Sequence, residues 1–163
     1  MFELDISAIS AIVAATGVLV GVVLAVLELR NLVKQRKSDF LMRLHLAFTT
    51  KETVEACMKY LSSEYKDYDD FVAKYGSPFA EGQVQTAFVT MGMFMEGIGV
   101  LLHRKLVDLD LIIELFAVEM FWLKMKPLAE GMRKQINDPR VYEWFEYLYN
   151  EMKQREQKLQ SKT

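Results

Sequence analysis

Cysteine is nearly absent: Cys57 stands alone among 163 residues. A single thiol excludes an intrachain disulfide and a cysteine-built zinc cage, and it suits a cytoplasmic domain. Three prolines and eight glycines are too few for a long disordered linker. There is no low-complexity tract and no evident repeat. Beyond residue 30, with Arg30 and then Glu3, Asp5 and Glu28 set aside, 19 basic and 19 acidic side chains remain. That balance argues against electrostatic binding of nucleic acid. Ser, His and Asp occur without a nucleophile elbow, and no glycine loop opens a helix in phosphate-binding form. The chain is therefore expected not to be an enzyme and to need no cofactor.

Charge is missing most conspicuously at one end. From Ile6 to Leu27 there is no charged side chain. At ~1.5 Å per residue such a helix covers ~33 Å, enough to cross a hydrocarbon core of ~30 Å. Acidic Glu3 and Asp5 precede the run; Arg30, Lys34, Arg36 and Lys37 follow it. The positive-inside rule puts the N-terminus outside the cell membrane and the rest in the cytoplasm. The basic cluster would meet membrane lipid at its headgroups. A cleaved signal peptide is the competing reading, and an acidic start with basic residues immediately after the run fits it poorly.

The run is not uniformly apolar. At ~100° per residue, Ser7, Ser10, Ala14, Gly17, Gly21, Ala25 and Glu28 share one narrow stripe. Gly17-x-x-x-Gly21 lies at its middle. Small residues let helix backbones approach closely in lipid, so the stripe predicts contact with a second copy or another membrane protein. In a ring of copies the same stripe would line a pore, with Ser10 and Glu28 facing inward.

The remainder reads as helices. The membrane helix is expected to run on through the basic segment, with Leu32, Phe40, Leu41, Leu44 and Phe48 at helical spacing. Thr49-x-x-Glu52 is a capping-box pattern that predicts a new helix start. Asp67 to Tyr75 reads as a short helix closed by Gly76. Ser77-Pro78 reads as an N-cap and first helical position. Val84, Phe88, Met91, Met95, Ile98 and Leu102 mark a core helix that ends at His103-Arg104-Lys105. A second is expected from about Leu109 through Leu123, kinked or ended by Pro127. Asp138-Pro139 reads as the start of a last helix carrying Val141, Tyr142, Phe145, Leu148 and Tyr149, which gives way to a charged tail from Lys153. The expected fold is all-α: anchor 1–30, juxtamembrane helix 31–50, cytosolic bundle 51–158 and tail 159–163. A second span over 84–102, with a third over 109–125, is the alternative; Glu114 and Glu119 would be costly in lipid, and His103-Arg104-Lys105 would fall outside against the charge rule.

From Phe94 onward an ordered series stands out: Phe94-x-Glu96-x-Ile98-Gly99-x-Leu101, Lys105-Leu106-Val107-Asp108, Trp122, Pro127, Asp138-Pro139 and Phe145-Glu146. It resembles an uncharacterised prokaryotic family with one N-terminal membrane helix and an all-helical cytosolic domain of unknown function. The resemblance covers the C-terminal half best, has no counterpart for Lys51 to Gly82, and transfers no catalytic residue.

Glu96 and His103 share a helix face, and with Glu114 or Glu119 they suggest a carboxylate–histidine metal site. The Glu-x-x-His spacing of di-iron bundles is absent, and Glu96 is better read as an acceptor for a helix terminus or an arginine such as Arg133 or Arg140. His45 reads as a surface or packing residue. Met91, Met93 and Met95 do not converge on one face, which argues against copper and for core filling. Trp144 and Tyr147 point away from the packed stripe of the last helix and form a possible interface. The expected function is a membrane-anchored interaction or scaffold protein that self-associates or docks on a membrane complex; the alternative is a small homo-oligomeric ion channel.

Overall fold

A computed structural model describes residues 6–161, and the side chains of residues 7 and 8 lie outside the description. Seven helices and no strand occur among the described residues: α1 (Ile6–Phe48), α2 (Lys51–Ser62), α3 (Tyr68–Tyr75), α4 (Gln83–His103), α5 (Leu109–Leu115), α6 (Val118–Ile136) and α7 (Glu143–Gln160). The chain divides into two units, Met1–Asp39 and Phe40–Thr163. The first is the N-terminal part of α1. The second is a bundle to which the last turns of α1 contribute.

The bundle core is aromatic at one end and thioether-rich at the centre. Tyr60, Phe71 and Phe88 stack with Tyr65 and Phe121 at ring separations of 4.5–5.7 Å. Met91, Met95, Met125 and Ile112 are wholly buried beside them. Each such side chain contributes about 1.5–3 kcal/mol on burial. Leu41 and Phe48 bring α1 into this core, Phe48 lying 4.4 Å from the Phe94 ring.

Several helix boundaries differ from those the sequence suggests. Thr49 finishes α1, its hydroxyl donating to Leu46 O at 3.0 Å, so Thr50 is the cap of α2 and accepts from Thr53 N at 3.3 Å. Asp67 caps α3 and Gly76 closes it at φ 86°, as expected. Ser77-Pro78 does not start a helix. Ser77 folds back on the next residues, its hydroxyl accepting from Phe79 N and its carbonyl from Ala80 N, and α4 starts only at Gln83.

The helix predicted from Leu109 through Leu123 is two helices. Phe116 takes an extended conformation between them, which turns its ring inward against Phe48 and Phe94. Pro127 does not end α6, which continues to Ile136. The lost donor costs about 3 kcal/mol; buried Phe121, Trp122 and Met125 before it and Leu128, Ala129 and Met132 after it offset that.

Asp138-Pro139 forms a turn in which Asp138 accepts from Arg140 N and pairs with its guanidinium at 3.0 Å. The last helix starts later, at Glu143, so Val141 and Tyr142 precede it. The charged segment after Lys153 stays helical because it is tied down. Lys153 reaches Glu119 and Glu156, Arg155 pairs with Asp110, and Met152 is buried.

Candidate functional site

The first unit offers a surface. Every side chain from residue 9 to residue 36 is exposed. The stripe residues Ser10, Ala14, Gly17, Gly21, Ala25 and Glu28 all lie within this stretch; the Ser7 side chain is outside the described residues. A methyl group added at Gly17 or Gly21 would meet nothing within 4 Å, so both glycines present open backbone. Thr16 returns its hydroxyl to Ile12 O at 2.8 Å. Arg30, Lys34 and Arg36 are exposed, and Lys37 is half-buried.

The second unit is organised around the contact of α4 with α7, the most extensive between helices. Glycines set its closeness. A Cβ at Gly92 would lie 2.5 Å from the Tyr142 ring, and one at Gly99 would collide with the carbonyl of Trp144. Between these two notches Glu96 projects at the start of α7. Its carboxylate accepts from Phe145 N at 2.8 Å and Trp144 N at 3.3 Å. These are two of the donors that a helix N-terminus leaves without intrahelical partners, and a negative charge there also meets the positive end of the helix dipole. Tyr142, the residue at the cap position, sits in the left-handed region at φ 55° and offers no side-chain cap of its own. Glu96 thus replaces the missing local cap from another helix.

Burial raises the Glu96 pKa above its ordinary value, while the two backbone donors and Arg133 pull it down. Arg133 lies alongside, donating to Val141 O at 2.9 Å and pairing with Glu146 at 2.7 Å. Burial likewise pushes the Tyr142 hydroxyl up to about 12.

A second buried polar arrangement went unread in the sequence. The Lys124 ammonium donates to Leu61 O at 3.0 Å and Ser63 O at 2.5 Å, closing the C-terminus of α2. It stands about 6 Å from the Tyr60 and Tyr65 ring centres. Tyr60 and Tyr65 in turn donate to the carbonyls of Phe121 and Lys124. Burial lowers the Lys124 pKa. With its donors committed to backbone, this lysine ties the end of α2 to α6.

A family model described as a domain of unknown function, DUF4760, matches residues 11–152. The chain belongs to the DUF4760 family. The match includes the 51–82 segment and part of the apolar run, so the family takes in both units. No curated protein and no solved structure matches the chain. Membership of DUF4760 therefore agrees with the resemblance to an uncharacterised family and brings no activity with it.

The predicted residues of the bundle fall as follows. Glu96 serves a helix terminus, as read, with Arg133 rather than Arg140 beside it. Trp144 and Tyr147 are half-buried and stack on His103, at ring separations of 4.4 and 5.6 Å. His103 is therefore an aromatic neighbour of α7. Among the described residues no three His, Cys, Asp or Glu side chains gather as a metal cluster. Met91 and Met95 are buried and Met93 is exposed, so the three thioethers do not share a site. His45 packs edge-on to Phe116 at 5.7 Å. What sequence reasoning missed here is the pair Gly92 and Gly99 flanking Glu96. Two glycines seven residues apart on one face of an apolar helix were the available signal of a close helix approach.

Proposed function

We propose that this chain is a membrane-anchored helical interaction protein, with α1 as its span, its bundle in the cytoplasm and a role in binding, not catalysis. The observation that supports it is the total exposure of the apolar part of α1. Ile9, Ile12, Val13, Val18, Leu19, Val20, Val22, Val23, Leu24, Val26 and Leu27 are each 45–67% exposed. At about 1.5 kcal/mol or more each, covering them is worth on the order of 20 kcal/mol, more than the whole stability of an ordinary domain. A surface of that size is met by lipid.

Within the bilayer the open backbone at Gly17 and Gly21 supports association of α1 with a second copy or another membrane helix. The test is native mass spectrometry of the full chain released from nanodiscs, beside the Gly17→Leu/Gly21→Leu variant. A defined oligomer that falls to monomer in the variant is the expected result. A native chain that is monomeric, or an oligomer unaffected by the variant, refutes self-association through the stripe. A closed ring of four or more copies would make conductance of reconstituted chain the next measurement. Extraction of the chain from native membranes by alkaline carbonate would overturn the anchor itself.

A further inference from the structure

We infer that the last two turns of α7, from Lys153 to Gln160, are a strap held on the bundle by ion pairs, which opens as ionic strength rises while the helix before it stays docked. Phe145, Leu148 and Met152 are buried at helical spacing and seat the first part of α7 on the bundle. The next positions on that face are Arg155 and Leu159. Arg155 puts a guanidinium where the stripe calls for an apolar side chain, and Leu159 is 51% exposed. Charge takes over from packing at this point. Lys153 donates to Glu119 of α6 at 3.0 Å, and Arg155 donates to Asp110 of α5. Glu156 shares the Lys153 ammonium at 2.7 Å.

Each side chain in these pairs is more than a third exposed. Exposed pairs contribute little apiece and are screened by salt, so turns that rest on them lie at the low end of local stability. The buried apolar contacts of Phe145, Leu148 and Met152 are not screened, and they leave the first part of α7 in place. The strap closes over a groove lined by Asp110, Ile113 and Glu114 of α5 and by Arg155, Glu156 and Leu159 of α7. Ile113 is half-buried there. Opening separates the two walls, takes Arg155 away from Asp110, and lays Ile113 bare beside the carboxylates of Asp110 and Glu114. The strap is thus a reversible cover for one face of α5, worked by screening at the surface and independent of melting in the core.

The experiment is hydrogen exchange read by mass spectrometry on the full chain in a non-ionic detergent. It compares about 0.01 M with about 1 M potassium chloride, between which the screening length falls from about 30 Å to about 3 Å. The readout is amide protection over 154–160 beside that over 145–152. High salt should lower protection of the strap by about threefold or more and leave 145–152 unchanged. The combined Asp110→Asn, Glu119→Gln variant removes both partners on the other helices without altering α7, so the helix propensity of the strap is the same. At low salt this variant should already show the loss that salt produces in the native chain, and salt should add little to it. Strap protection indifferent to salt, strap protection intact in the variant, or an equal loss over 145–152 overturns the strap. Protection absent from 154–160 already at low salt overturns it too, since the pairs would then hold nothing. The salt comparison needs only the native chain, so the test stands even where the variant folds poorly.

Discussion

Two glycines on one helix, two residues apart, should respond to alanine with opposite signs. Gly97 is exposed on α4, and a methyl group there would meet nothing within 4 Å. Gly97→Ala then only reduces the freedom of the unfolded chain and improves helix propensity, a gain of about 0.5–1 kcal/mol. Gly99→Ala gains the same local term, but its methyl group would collide with the Trp144 carbonyl. Backbone cannot rotate aside as a side chain can, so α7 must move as a unit. Overpacking of this kind costs about 1–3 kcal/mol. The movement also pulls Trp144 N and Phe145 N away from the Glu96 carboxylate, and hydrogen bonds to a charged acceptor are worth about 1.5–3 kcal/mol each. Even with partial relaxation the net loss is about 2–4 kcal/mol. At about 2–4 °C per kcal/mol, Gly97→Ala should melt a few degrees above the native chain and Gly99→Ala roughly 5–15 °C below it. Tryptophan fluorescence during thermal unfolding reads this directly, since Trp122 and Trp144 both lie at the α7 contact. Measured in one detergent, the variants share the same α1 environment and the difference isolates the bundle. Equal melting temperatures for the two variants would refute the seating of α7 on α4.

Two further outcomes follow from the same geometry. Because burial holds the Glu96 carboxyl above its ordinary value of 4.5, folding favours its protonated form. Its stabilising contribution is fully present below 4.5 and is lost as pH rises through the raised value. The unfolding free energy of the native chain minus that of Glu96→Gln should therefore be larger at the acid end of that window than at neutral pH. Glu143, Arg133 and Tyr142, the neighbouring groups, are common to both proteins; a difference that instead grew with pH would show that the backbone donors, not burial, dominate. At the end of α4, Lys105 occupies the left-handed region at φ 58°, with Leu106 N bonded to Leu101 O and Lys105 N to Leu102 O. This is a helix C-terminus that prefers glycine. The side chain is exposed, so Lys105→Gly should raise stability by about 0.5–1 kcal/mol, and a lowered melting temperature would refute a purely conformational cost.

Periodicity carried the reading of the fold wherever one helix face had a single task. The apolar run, the extent of α4 and the end of α3 at Gly76 were legible for that reason. Boundaries failed where a nearby cap signal was used for something else. Ser77 and Asp138 have the chemistry of N-caps, yet both fold back on their own loops. The cap of α7 comes from Glu96, some fifty residues earlier in the chain, and no local pattern announces a cap supplied from another helix. The break at Phe116 was hidden because its cause is tertiary, an inward ring between Phe48 and Phe94. Lys124 was hidden because a lysine in a helix ordinarily reads as a solvated face. Its partners are carbonyls at the end of α2, about sixty residues away.

The same distinction decides how α4 should be read. By length and composition it passes for a membrane span, as α1 does, but half of its apolar window is buried in the bundle and none of α1's is. Hydropathy does not separate the two cases, because lipid and protein interior both take apolar side chains. Closeness and polarity do. A helix dissolved in lipid gains little from a missing Cβ unless another backbone approaches it, and a carboxylate there is costly. In α4 the notches at Gly92 and Gly99 receive Tyr142 and the Trp144 carbonyl, and the carboxylate between them receives two backbone N–H groups. All three features are satisfied by one neighbour, α7, and each would be a liability in lipid. In α1 the glycines at 17 and 21 face open space, and Ser10 and Glu28 are exposed. Two helices of similar composition thus differ in whether their small residues are already answered. The unanswered set, on α1, is the surface on which the proposed association would be made.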